Sequence, residues 1–103
     1  MLAITFITVG ELYYGAEKRG WGIDKRQHLE TTLRNFVVIP YDHEIARVYG
    51  YIFAKREGQG EKMPWPDAWI AACAVRHKVP LITHDAHFKD VDGLEVVTEY
   101  KVE

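Results

Sequence analysis

Pro64 to Phe88 reads PWPDAWIAACAVRHKVPLITHDAHF, and the order of features in it decides the fold. Pro66 suits the first turn of a helix, where its missing N–H costs nothing, and Asp67 stands beside it. Asp67 to His77 is apolar nearly all round and rich in alanine. That composition predicts a buried helix that approaches its neighbours closely and packs against the centre of a sheet. Val79 to Thr83 (VPLIT) is a short β-rich run, and Asp85 to Val91 reads as a loop or short turn. Helix, strand and then an acidic residue are the parts of an α/β unit.

The rest of the chain repeats this alternation. Leu2 to Ile7 (LAITFI) predicts a strand, and Thr8-Val9-Gly10-Glu11 has the Ser/Thr-x-x-Glu spacing of a capping box, so a helix is expected to start there. Val9, Leu12, Tyr13 and Ala16 follow helical spacing, and Gly20 and Gly22 mark the end. A second helix is expected from about Asp24 to Arg34, with Leu29 and Leu33 on one side. Phe36 to Pro40 (FVVIP) is a continuous apolar run of the type found in strands covered on both faces. Asp42 opens a third helix whose stripe is Ile45, Val48, Tyr49, Ile52 and Phe53, ending at Lys55, Arg56 and Gly58. Gly58 to Trp65 is a loop, and Leu94 to Thr98 a last strand. Strands alternating with helices imply right-handed crossovers and a parallel sheet sandwiched by helices.

Composition narrows the function. A chain of 103 residues, 48% hydrophobic and 27% charged, without repeats or low-complexity tracts, is expected to form one domain spanning 1–103. A net charge of -2 argues against holding nucleic acid through a basic surface, because such binding scales with the phosphates neutralised. Any work on nucleic acid must then use local charge or a bound metal. The lone Cys73 excludes an internal disulfide and a cysteine-rich zinc site, in keeping with a cytoplasmic location. No export signal or membrane span is expected from the first ten residues.

Three carboxylates take equivalent places in this plan. Glu11 and Asp67 fall in first helical turns, and Asp85 lies just beyond a strand. In an open parallel sheet those ends share one edge, where ligands bind. Hard oxygen donors suit Mg²⁺ or Mn²⁺, which also bind phosphate oxygens. Taken singly, a cap role for Glu11 and a dipole role for Asp67 explain these residues as well as a metal does, and Asp after a strand is ordinary turn chemistry.

The stretches ITFITVGELYYGA (4 to 16), VVIPYD (37 to 42), PWPDAWIAACAVRHKVPLITHDAHF (64 to 88) and VDGLEVV (91 to 97) closely resemble, in order, the PIN-domain toxins of bacterial and archaeal VapBC pairs. The resemblance implies an endoribonuclease that binds Mg²⁺ or Mn²⁺ and cleaves RNA with metal-activated water, together with a cognate VapB-like antitoxin that blocks the site. It implies Glu11, Asp67 and Asp85 as metal ligands and Thr83 as a hydroxyl residue orienting a carboxylate. His87 stands where some relatives have an aspartate. The family begins with an aspartate-bearing strand, central in a sheet of order 3-2-1-4-5, and Met1 starts at the strand that follows it. The expectation is therefore a truncated PIN domain that associates with another copy or a partner, and the rival reading is a catalytically impaired remnant that binds antitoxin or oligomerises.

Other residues are set against plainer roles. His84-Asp85-Ala86-His87 offers zinc-type ligands but lacks a third partner at a recognisable spacing. Cys73 reads as packing. Trp65, at the end of a loop, is the best candidate for an exposed ring that could stack on a base, whereas Trp69 and Tyr49 read as core. Arg47, Lys55 and Arg56 read as a solvated face more readily than as phosphate contacts.

Overall fold

The computed structural model describes residues 2–98. Contacts cluster into two compact units, Met1–Tyr41 and Asp42–Glu103. In the first unit, strand β1 (Ala3–Thr5) leads into helix α1 (Phe6–Arg19), which is followed by α2 (Ile23–Leu33) and strand β2 (Val37–Ile39). β1 and β2 pair in parallel, with Ile4 opposite Val38.

The start of α1 differs from the capping box expected at Thr8. Thr5 is the N-cap, its hydroxyl accepting from the Thr8 amide at 3.1 Å. Thr8 thus becomes the third helical residue, and Glu11 lies in the second turn, out of reach of a capping role. Two threonines three apart compete for the cap, and the upstream one wins because the strand already delivers it in extended geometry. At the other end Gly20 takes a left-handed conformation (φ 63°), and its amide bonds back to Ala16 and Glu17.

β2 also departs from expectation. Val37 and Val38 are 52% and 44% exposed, and only Ile39 is buried, so this strand is not covered on both faces. Its apolar run reports what the strand can pack, and among the described residues only β1 pairs with it.

In the second unit, α3 (His43–Gly58) packs against α4 (Trp65–His77), followed by β3 (Leu81–Ile82), a 3-10 turn (Ala86–Phe88) and β4 (Val96–Val97). The alanine-rich face of α4 behaves as read: Ala68, Ala71, Ala72, Cys73 and Ala74 are all buried. Its principal partner is α3 and not the centre of a sheet, since strands of two residues offer little area to cover. Ile45 and Ile52 of α3 are buried, and Tyr49 stacks on Trp69 with ring centroids 4.0 Å apart. Burial pushes the Cys73 thiol up from its ordinary value, which makes it an inert packing residue.

β3 and β4 pair in parallel, Leu81 opposite Val96, so both strands are shorter than the five-residue apolar runs suggested. Among the described residues the strands form two separate two-stranded sheets, β1-β2 and β3-β4. Among the described residues no helix is long and apolar enough to cross a membrane.

Asp42 caps α3 as expected, accepting from the Ile45 amide at 2.9 Å and pairing with Arg76 at 3.1 Å. The Ile45 N–H above all, and then the Arg76 guanidinium, hold its carboxyl below the usual carboxylate range. A depressed folded value means that the stabilisation is complete above the unfolded value of about 4 and is lost as pH falls through the folded one. Asp42→Asn, which keeps a capping oxygen, is therefore expected to unfold at a lower temperature at neutral pH. Its midpoint should also decline less steeply than that of the parent chain below about pH 4. Thermal unfolding followed by circular dichroism between neutral and acid pH checks both.

Candidate metal centre

Asp67 enters the site from the first turn of α4, where proline and the helix start place it. Asp85 and His87 enter from the loop that follows β3. The Asp85 carboxylate accepts from the His87 amide at 2.9 Å, closing the 3-10 turn, and the Asp85 amide donates to Thr83 Oγ1 at 3.1 Å. Thr83 therefore holds the backbone of Asp85, and this bond is not one to a carboxylate. Phe88, buried at the end of the turn, anchors the loop against the unit's interior.

These constraints converge three donors. His87 Nδ1 lies 2.9 Å from Asp67 Oδ2 and 3.1 Å from Asp85 Oδ1. One ligand atom from each of Asp67, Asp85 and His87 falls within 4.8 Å of the others. Two carboxylates and an imidazole at this spacing form a donor set that suits a divalent cation, with one face open: the Asp67 side chain is 20% exposed, and those of Asp85 and His87 are 45% and 51% exposed.

The structure thus brings together Asp67 and Asp85, as the sequence suggests, and adds His87, for which the local spacing offers no third partner. That partner is Asp67, twenty positions upstream, a distance no local spacing could reveal. Glu11 belongs to the first unit and is exposed on α1.

A concavity of about 380 Å³ adjoins Asp85, its lining including Thr83, His84, Lys89 and Thr98. Lys89 is a cation that the sequence reading passed over, although it lies four residues beyond Asp85. The basic residues of α3 are engaged elsewhere: Arg47 pairs with Glu44, Lys55 with Asp92 and Arg56 with Glu61. The Asp92 carboxylate raises the Lys55 ammonium above its ordinary value and is itself lowered. The reading of these residues as a charged, solvated face holds for Arg47 and Lys55, whereas the Arg56 side chain is only 11% exposed and its guanidinium also donates to the Lys89 carbonyl. Trp65 is 57% exposed, as its place at the loop end predicted.

The family model described as "PIN domain" matches residues 1–94. Ribonuclease VapC5 of Mycobacterium tuberculosis is 28% identical over 103 residues, an alignment covering 98% of this chain and 76% of that protein. VapBC2 from Rickettsia felis, solved bound to a DNA fragment from its promoter, superposes with a TM-score of 0.86 at 25% identity, covering 92% of this chain and 72% of that one. A toxin-antitoxin complex from Klebsiella pneumoniae superposes with a TM-score of 0.71 at 32% identity, covering 97% and 75%.

Proposed function

The chain belongs to the PIN-domain family, of the VapC type, and within it we propose a metal-dependent endoribonuclease acting as the toxin of a VapBC-type toxin-antitoxin pair. The convergence of Asp67 and Asp85 on one donor cluster carries the reading. We treat residues 1–103 as one PIN domain, since the family match runs across both units.

Asp67 and Asp85 would hold Mg²⁺ or Mn²⁺ through carboxylate oxygens, with Thr83 fixing the main chain that carries Asp85. When bound, such an ion supplies charge neutralisation at the phosphodiester and a lowered pKa for a coordinated water. Lys89, lining the adjacent concavity, would meet the negative charge of an RNA backbone there, and the exposed Trp65 ring would stack on an unpaired base. The open donor face suits a polymeric substrate, because a phosphodiester in a chain cannot enter a closed cage. Glu11 is retained as a ligand on its sequence match alone.

The partner proposed is a VapB-like antitoxin, since the structural neighbours are toxin-antitoxin assemblies. Self-association is proposed as well, supported by the exposed Val37 and Val38 of β2. A reducing cytoplasm suits the buried free thiol of Cys73.

The purified chain is expected to cleave labelled RNA with Mg²⁺ or Mn²⁺ present and to stop when EDTA is added, resuming when the ion is restored. Cleavage that EDTA leaves untouched would remove the metal from the reading. No cleavage under any ion, by a folded chain, would remove the nuclease.

A further inference from the structure

We infer that His87 is a ligand of the proposed cation, and that its ring nitrogen biases the site toward first-row transition ions over Mg²⁺. The inference rests on the metal-dependent reading above and goes beyond it, since carboxylates alone would serve a magnesium site.

The geometry comes first. Ligand atoms about 2.0–2.1 Å from an octahedral ion lie roughly 3 Å apart when adjacent. His87 Nδ1 is 2.9 Å from Asp67 Oδ2 and 3.1 Å from Asp85 Oδ1, so the nitrogen already occupies a position next to both oxygens. Its placement is set by the backbone: the 3-10 turn, closed by the His87 amide on Asp85 Oδ1, presents the ring to the carboxylates. No other histidine among the described residues joins the cluster.

The chemistry follows from donor type. Mg²⁺ is hard, keeps its waters and favours an all-oxygen shell, whereas transition dications gain from an imidazole nitrogen in proportion to their place in the Irving–Williams order. A site that adds a ring nitrogen to its carboxylate oxygens should therefore hold Mn²⁺ more tightly than Mg²⁺. His87→Asp would narrow that preference by making the donor at this position an oxygen.

The test compares the full-length parent chain with His87→Asp and His87→Ala, using Mn²⁺ and Mg²⁺ alone as probes. The ring is half exposed, so both variants should fold, which far-UV circular dichroism verifies. Calorimetry should give a preference for Mn²⁺ that falls about tenfold or more in His87→Asp. Pulsed electron paramagnetic resonance of bound Mn²⁺ should detect ¹⁴N coupling in the parent chain and none in either variant. Mn²⁺ bound without ¹⁴N coupling, at an ion preference unchanged in His87→Asp, would overturn the role of His87 while leaving the metal site standing. A folded parent chain that binds neither ion would overturn the metal-dependent reading and this inference with it.

Discussion

Asp67→Asn is expected to slow RNA cleavage by roughly 10²–10³-fold, a loss comparable to removing one preorganised electrostatic contact at a reacting centre. The substitution keeps the size and shape of the side chain but removes the negative charge that would face the cation and that faces His87 Nδ1. Stability should barely move. Asp67 is partly exposed, and losing an acid from the first turn of α4 forfeits a dipole interaction of about 0.3–1 kcal/mol. Single-turnover cleavage of labelled RNA, measured beside thermal unfolding of the same preparation, separates the two effects. Equal rates for parent and variant would leave the acidic cluster as helix capping and turn chemistry, with no part in cleavage.

The second large effect falls on stability. Ile45 is completely buried on α3, in the unit where α3 and α4 pack together, and Ile45→Ala should cost about 2–5 kcal/mol through lost transfer energy and the cavity left behind. Against a total of about 5–15 kcal/mol for a domain, that is a large fraction. At about 4–8 °C per kcal/mol for a small domain, the melting temperature should fall by at least roughly 8 °C. Trp65→Ala supplies the contrast, since a ring 57% exposed at the first position of α4 should change stability by no more than about 0.5 kcal/mol. Comparable melting temperatures for Ile45→Ala and the parent chain would mean that the α3–α4 packing is not the core of its unit.

Legibility followed the range of the interaction responsible. Asp42 as a cap, Pro66 at a helix start, the buried alanine face of α4 and the stripe on α3 were all read correctly, because each depends on neighbours within a turn or two. The cap of α1 was misplaced by one threonine, as two equivalent hydroxyls sit three residues apart and only the end of the strand chooses between them. Strand lengths were overestimated, for apolar runs mark what could pair, while ladders extend only where a partner is aligned.

The amino-acid order alone settled the element types, the alternation that makes the pairing parallel, and the presence of Asp67 and Asp85 at a helix start and beyond a strand. All of these are encoded in hydrogen-bonding and burial preferences acting over a few residues. Folding in three dimensions decided that Asp67 meets a loop twenty positions away, that the imidazole of His87 and not a further carboxylate completes the cluster, and that Lys55 and Arg56 turn to acids of their own chain. Side-chain meetings at that separation depend on how α4 and the turn after β3 pack, and no spacing rule along the chain contains that information.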